Sequence, residues 1–216
     1  MKRIVLLAAL ATACGGGSKT AVDRNSAGSG SSTLLVTGTV TVTVSDTAPS
    51  TIYSVNVKDG LNANVTGATV TVGGVSLTDA GSGNYAATNT SYPAGDLSLS
   101  VVKGTDQVQG VVVGYPGAHA ISSPAGGSTA TANQVLTVTW TTPAVSKAAR
   151  ITLASGGFSA QAPDDGSYDI PAASNTARAS QRVTISRSNE VEIAGGLPGS
   201  SLKVTVSNQT DPFTVQ

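Results

Sequence analysis

Apolar and polar side chains alternate along the stretch that begins at residue 33, which reads TLLVTGTVTVTVS. Leucine and valine occupy one parity (Leu34, Val36, Val40, Val42, Val44), and threonine occupies most of the other. A period of two residues with β-branched side chains is typical of a strand that buries one face. Because this strand is uncharged and strongly β-prone, we expect it to lie centrally in its sheet or to be covered.

The same alternation recurs along the rest of the chain. It is found at residues 53–57, 68–72, 97–101, 136–140, 151–153, 183–185 and 202–206. Turn signals such as DG at 59–60, GG at 73–74 and DDG at 164–166 lie between these segments. Many short strands with glycine, proline, asparagine and aspartate at their turns indicate an all-β sandwich or barrel. No window after residue 14 keeps a helical apolar period over three turns, so we expect almost no helix.

The length of the β-rich region predicts two domains. About 184 residues follow residue 32, and a small sandwich takes about 100 residues. The segment 115–133 is polar and rich in proline, glycine and alanine. We expect its start to be a linker and its end a weak first strand. The predicted sandwiches are therefore residues 33–117 and 118–216.

An internal echo supports two related units. TDAGSGNYAA at 78–87 and PDDGSYDIPA at 163–172 each place aspartate and glycine before a tyrosine. Aspartate caps such a turn and glycine supplies positive φ. We predict that Tyr85 and Tyr168 point their rings into a core and hold their hydroxyls at its edge, as in the tyrosine corner of sandwich domains. An exposed binding tyrosine is the alternative at either position.

The first residues, MKRIVLLAALATAC, have the order of a secretory signal peptide. A basic start precedes a short apolar run and then small residues, and the run is far shorter than the roughly 20 residues of a membrane-spanning helix. We predict a signal peptide at 1–13; a buried N-terminal helix is the alternative. Residues 15–32, GGGSKTAVDRNSAGSGSS, are predicted to be a flexible tether with a reach of roughly 20–25 Å.

The single cysteine of the chain, Cys14, directly follows the small residues. This arrangement resembles the lipobox of bacterial lipoproteins, although Ala11 stands where that family usually has leucine. The resemblance implies cleavage before Cys14 and attachment of a diacylglycerol to its thiol. Gly15 stands where aspartate retains some lipoproteins at the inner membrane, which implies the outer membrane. A metal or catalytic role for Cys14 has no companion ligand or base nearby, and one cysteine cannot form an internal disulfide.

Two longer stretches resemble sandwich families. The sequence at 65–87, VTGATVTVGGVSLTDAGSGNYAA, resembles bacterial Ig-like and carboxypeptidase-regulatory-like domains. The sequence from Leu136, LTVTWTTPAVSKAARITL, looks like the start of a fibronectin type III domain, with Trp140 at that family's core tryptophan. These resemblances imply two Ig-like β-sandwiches and no activity. Because Trp140 shares parity with Leu136 and Val138, we favour core packing over a ligand platform.

The charge of the chain excludes some partners. Twelve basic residues balance twelve acidic ones, and removal of Lys2 and Arg3 with the signal peptide leaves a net charge of −2. No basic cluster is present, so we expect no nucleic-acid partner. Membrane attachment would come from lipid and not from a polybasic patch.

Candidate chemistry in the sequence is sparse. His119 is the single histidine; GxSxG is absent, and we predict a surface position for His119. Glu190 and Glu192 share one face of a predicted strand or loop, and their spacing alone is weak evidence for paired catalytic carboxylates. Asp164, Asp165 and Asp169 are a candidate for weak extracellular Ca²⁺ binding, but turn formation is favoured and the spacing does not match an EF-hand. We expect no catalytic residue, no metal and no cofactor.

These observations favour a lipid-anchored envelope protein with a structural, adhesive or protein-binding role. The alternative is a surface carbohydrate-binding module, in which Tyr92 or Tyr115 would contact the sugar. An enzyme would require His119 to lie within hydrogen-bond reach of a serine and a carboxylate.

Overall fold

The computed structural model describes residues 24–45, 48–154 and 157–216. The predicted signal peptide and Cys14 lie outside the described residues and stay predictions. Within the described part, the regular structure is β-strand apart from one 3-10 turn at Ala172–Ser174. The all-β prediction is confirmed. None of the described residues belongs to a helix with the length and apolarity needed to cross a membrane.

In the described residues before 114 the structure has eight strands. They are β1 (Ser26–Gly30), β2 (Leu34–Thr43), β3 (Ser50–Asp59), β4 (Thr69–Val72), β5 (Val75–Gly81), β6 (Asn84–Asn89), β7 (Leu97–Lys103) and β8 (Asp106–Val113). The strands that follow are β9 (Ile121–Ser123), β10 (Thr129–Ala130), β11 (Leu136–Trp140), β12 (Ala148–Leu153), β13 (Ser159–Ala162), β14 (Ser167–Ile170), β15 (Arg178–Gln181), β16 (Val183–Glu192), β17 (Ser201–Gln209) and β18 (Phe213–Val215).

Twelve strands form one continuous hydrogen-bonded sheet, in the order β1-β8-β7-β4-β5-β6-β3-β2-β17-β16-β12-β13. Strand β5 pairs first with β4 and then with β6, so it carries the sheet around a corner. Two three-stranded sheets, β10-β18-β15 and β14-β11-β9, complete the fold. The predicted sandwich architecture is therefore built on one sheet that extends through both halves of the chain.

Strand β2 occupies the centre of this sheet, as its sequence predicted. It pairs along its whole length with antiparallel β3, and its other side pairs with parallel β17 from Thr37 to Thr43. The apolar parity is buried at Leu34, Val36, Val40 and Val42. The central position leaves no open edge on this uncharged strand.

The buried side chains form two clusters that do not follow chain order. The first cluster contains the buried apolar residues between Leu34 and Tyr115, together with Val191, Ile193 and three buried residues of β17. The second contains residues from β11, β12 and β14, joined by Val183 and Ile185 of β16 and by the end of the chain. The predicted division at residue 118 assigns β16 and β17 to the second unit, whereas much of their buried surface packs in the first core.

The predicted tether is wrong for residues 24–32, because Ser26–Gly30 forms strand β1. This strand is antiparallel to β8. On its other side, the Ala27 carbonyl accepts from the Ala194 N–H at 3.0 Å, and the Ser32 N–H donates to the Gly195 carbonyl at 3.0 Å. A Cβ on Gly195 would overlap the backbone of β1, so glycine here permits close backbone approach. Residues 15–23 of the tether lie outside the described part.

Tyr85 confirms the predicted tyrosine corner. Its side chain is fully buried, and its hydroxyl donates to the Val65 carbonyl at 2.8 Å and accepts from the Ala68 N–H at 2.9 Å. Tyr168 is half-buried at the margin of the second core. Its ring centroid lies 6.2 Å from that of Phe158. The sequence echo therefore places both rings against a core, with different depths of burial.

Candidate functional site

The inward face of β16 changes character where the two cores meet. Val183 and Ile185 pack in the second core and Val191 packs in the first. Between them, Arg187 and Asn189 are also buried, with exposed fractions of 0% and 6%. A buried arginine needs a partner, because an isolated charge is costly in an apolar interior. Arg187 and Asn189, together with Asp164, are called the junction layer below.

Asp164 supplies the partner of Arg187. The Arg187 Nε lies 2.9 Å from each carboxylate oxygen of Asp164, and Nη2 contacts Oδ2 at 2.5 Å. The exposed fractions of the two side chains are 0% and 2%. The remaining guanidinium N–H groups donate to backbone carbonyls, Nη1 to Pro116 at 2.7 Å and Nη2 to Ala144. The arginine thus joins three separated segments of the chain.

The Asp164 carboxylate accepts two further hydrogen bonds. The Trp140 Nε1–H donates to Oδ1 at 2.9 Å, and the Ser146 hydroxyl donates to Oδ2 at 2.7 Å. Burial raises the pKa of Asp164, but hydrogen bonds from Arg187, Ser146 and Trp140 outweigh it and hold the pKa below its usual range. Trp140 is 5% exposed, which confirms its predicted core position.

The three aspartates considered for Ca²⁺ do not converge. Asp164 is committed to the junction layer, while Asp165 accepts from the Ser167 N–H at 3.2 Å in a turn. Asp169 accepts from the Thr137 hydroxyl at 2.6 Å. Among residues 24–45, 48–154 and 157–216, no three His, Cys, Asp or Glu side chains are grouped to hold a metal ion. The turn-forming role that the sequence favours is found at Asp165. Asp164 instead forms a buried ion pair with Arg187.

Asn189 fixes the chain segment that crosses between the cores. Its Nδ2 donates to the Gly114 carbonyl at 2.7 Å and to the Val145 carbonyl at 3.0 Å. In the same segment, the Tyr115 carbonyl accepts from Arg24 Nη2 at 3.0 Å, and the Tyr115 N–H donates to Asp96 at 2.9 Å. The segment expected to begin a linker is therefore held by side chains from several parts of the chain.

The surface position predicted for His119 is wrong, because its exposed fraction is 2%. Both ring nitrogens are buried without a hydrogen-bond partner among the described residues. Burial, followed by the positive charge of Arg187, lowers the pKa of His119 to about 4, so the ring is neutral at pH 7. The prediction failed because the polar, glycine-rich sequence around His119 packs across the junction. No serine or carboxylate of the described residues is hydrogen-bonded to the ring, so these residues form no catalytic triad around it.

An open groove of about 1060 Å³ lies beside the junction. The ends of β2 and β17 and the segment around His119 line it, and half of the lining residues carry a side-chain hydroxyl or amide group. The Gln209 Nε2 donates to the Thr184 hydroxyl at 3.0 Å, and the Asn208 Nδ2 donates to the His119 carbonyl at 2.6 Å. These bonds hold the polar groups in place before any ligand arrives.

The two tyrosines proposed as sugar contacts differ in exposure. Tyr92 lines the groove, and its hydroxyl donates to the Ser45 carbonyl at 3.0 Å. Tyr115 is 8% exposed with a buried hydroxyl. Burial, with smaller contributions from Tyr92 and Tyr53, raises the pKa of Tyr115 to about 12. Tyr115 is therefore a core residue, and Tyr92 alone of the two can meet a ligand.

Glu190 and Glu192 share one face of β16, as predicted, and that face is exposed at both positions. Glu190 Oε2 is 3.8 Å from the Lys203 ammonium, and both side chains are about half exposed. The glutamates border a second depression of about 650 Å³ beside residues 193–201. An exposed ion pair of this length contributes little to stability.

No family model matches the chain, and no curated protein matches it. The solved structure of the adhesin InvE of Yersinia pseudotuberculosis matches with 15% identity, a TM-score of 0.26, and coverage of 82% of this chain and 60% of the adhesin. Fibronectin(III)-like modules of CbhA from Clostridium thermocellum match with 13% identity, a TM-score of 0.28, and coverage of 81% and 94%. This chain thus spans less than two thirds of the matched adhesin.

Sequence reasoning missed Arg187, although a signal was present. The alternation in VTISRSNEVEI places Arg187 and Asn189 on the same parity as Val183, Ile185 and Val191. A charged residue on the apolar parity of a strand indicates either an interruption of the core or a buried ion pair. The structure shows the second of these.

Proposed function

We propose that this protein is a lipid-anchored lipoprotein of the bacterial outer membrane with a non-catalytic structural, adhesive or protein-binding role. The basic start, the apolar run and the small residues before Cys14 support the anchor. Two or more acyl chains give stable membrane attachment, whereas one is marginal.

The observation that supports a structural role, here called the scaffold function, is the junction layer. One sheet runs through both cores, and the buried Arg187–Asp164 pair ties β16 to Pro116 and Ala144 where the cores meet. Such a connection resists bending between the two halves, which suits a protein that holds a binding surface in a fixed orientation. The groups with catalytic potential serve other roles, since His119 is enclosed and Asp164 is saturated with donors.

Replacement of Cys14 by serine tests the anchor. We expect the wild-type chain to incorporate a labelled fatty acid and to fractionate with membranes, and the Cys14→Ser chain to do neither. Gly15→Asp serves as a matched variant, because it keeps the thiol and is expected to redirect the lipidated protein to the inner membrane. Unchanged processing and fractionation of Cys14→Ser would refute lipid attachment.

The groove beside the junction supports a second candidate, binding of a neutral oligosaccharide. Its lining combines hydroxyl and amide groups with the ring of Tyr92, and sugar hydroxyls pair with donors and acceptors of this kind. Screening on a glycan array, followed by titration of any hit, tests the idea. We expect Gln209→Ala to weaken binding, whereas Gln161→Ala, an exposed glutamine on β13, leaves binding unchanged. Equal effects of the two variants would exclude the groove.

A further inference from the structure

Strand β1 is held mainly by its backbone. Its three side chains, those of Ser26, Ala27 and Ser29, are all exposed, and its two remaining residues are glycines. The strand fills a slot between β8 and the turn that follows β16, where it pairs with β8 from Ser26 to Gly30 and contacts Ala194 and Gly195. Because almost no apolar surface is buried, the hydrophobic contribution to its docking is small.

A short connection separates β1 from the centre of the fold. Residues 31–33 are the whole link between β1 and β2. Within it, Ser32 has a φ of 56°, a left-handed conformation that costs a residue other than glycine roughly 1–2 kcal/mol. The link is therefore strained in the closed chain, and short strained links favour exchange of the element that they connect.

We propose that two copies of this chain associate by exchanging β1, each strand filling the slot between β8 and residues 194–195 of the other copy. Exchange re-forms every backbone bond of β1 and lets Ser32 leave the left-handed region. The exchange is mutual, so it closes a two-fold dimer. The proposal goes beyond the scaffold function and does not depend on it.

The geometry of the slot restricts its occupant to a strand with the β1 sequence, so a strand that arrives from outside the chain comes from a second copy. A Cβ on Gly28 would overlap the backbone of Gln109 and Val111, and a Cβ on Gly30 would overlap the carbonyls of Gln107 and Gly195. The slot therefore accepts a strand with glycine at both positions. The sequence SAGSG of β1 satisfies this requirement, whereas an extended strand with side chains at those positions does not.

Disulfide capture between two chains tests the exchange. Ser26 and Val112 are direct partners across the β1–β8 pair, and facing residues of antiparallel strands lie about 4.5–5.5 Å apart at Cα, within the range for a disulfide. One chain carries Ser26→Cys and a second, longer tagged chain carries Val112→Cys, both from residue 14 onward with Cys14→Ser. After mixing and oxidation we expect a covalent heterodimer. Its absence, with capture seen only when both cysteines lie in one chain, would overturn the proposal.

Hinge variants provide an independent measurement. Ser32→Val disfavours positive φ and should raise the dimer-to-monomer ratio in gel filtration by roughly fivefold for each hinge, while Ser32→Gly should lower it. Asn62→Val is the matched control, because Asn62 has a φ of 63° in the loop after β3, away from the hinge. If Ser32→Gly leaves the ratio unchanged, or if Asn62→Val raises it as much as Ser32→Val, strain at Ser32 does not control association and the proposal fails.

Discussion

Asp164→Ala would leave the buried guanidinium of Arg187 without its carboxylate partner. The Arg187 side chain has no exposed surface, so its charge would stay buried after the carboxylate is removed. Breaking a buried pair by removing one partner costs about 3–5 kcal/mol. The Trp140 and Ser146 donors lose their acceptor as well. We expect the free energy of unfolding to fall by about 4 kcal/mol, which is a large share of the roughly 5–15 kcal/mol that stabilises a typical fold.

Urea unfolding followed by far-ultraviolet circular dichroism measures this loss. Fluorescence is less suitable, because Trp140 is the single tryptophan of the chain and itself donates to Asp164. Asp169→Ala is the matched control. Asp169 is an exposed aspartate that accepts one hydrogen bond from Thr137, and its removal should cost less than about 1.5 kcal/mol.

A double variant separates the buried charge from the general cost of mutating the junction. Asp164→Leu combined with Arg187→Met removes both charges, so no uncompensated guanidinium remains. We expect the double variant to be more stable than Asp164→Ala. We also expect it to lose much less stability than the sum of the losses in the single variants Asp164→Leu and Arg187→Met. The reasoning is refuted if Asp164→Ala costs no more than Asp169→Ala, or if the double variant loses the sum of the single effects.

Three further changes test other parts of the structure. The pKa of His119 falls from about 6.5 in the unfolded chain to about 4 in the fold. Between these values the unfolded chain binds more protons, so the free energy of unfolding decreases by up to about 3 kcal/mol as the pH drops from 6.5 to 4. His119→Leu should therefore flatten the pH dependence of the urea midpoint in this range. Tyr85→Phe removes both corner hydrogen bonds and should cost about 1–3 kcal/mol, measured by thermal unfolding. Gly195→Ala should displace β1, because its methyl group overlaps the Ser29 backbone, and should speed amide exchange at Ser32, whereas Gly95→Ala, where the added methyl meets open space, should not.

The strands were predictable because a β-strand encodes its buried face locally. In β17, Leu202, Val204 and Val206 alternate with polar residues and are all buried. The pattern depends only on the direction of successive side chains and not on which strand lies alongside. The same reasoning located the Tyr85 corner, since its turn and its tyrosine are adjacent in sequence.

The missed features depend on partners that are distant in sequence. Strand β1 has no apolar pattern, and it is ordered by β8, about 80 residues further along the chain. Asp164 looked like a turn residue because its partner, Arg187, lies 23 residues away. Pro116, the second acceptor of Arg187, is 71 residues from it. Local composition assigned these positions to a tether, a turn and a linker because it carries no information on contacts at such separations.

The two cores are best regarded as parts of one folding unit. Val191, Ile193 and the buried face of β17 complete the first core, although they lie more than 70 residues beyond the predicted boundary at 118. A fragment ending there would expose the apolar residues that β16 and β17 cover, and β2 would lose the strand that pairs with its second edge. A fragment with only the second half would keep Arg187 but lose the Pro116 carbonyl that accepts its hydrogen bond. Residue 118 therefore marks a change in composition along the chain, while the packing boundary runs across β16 at Arg187 and Asn189.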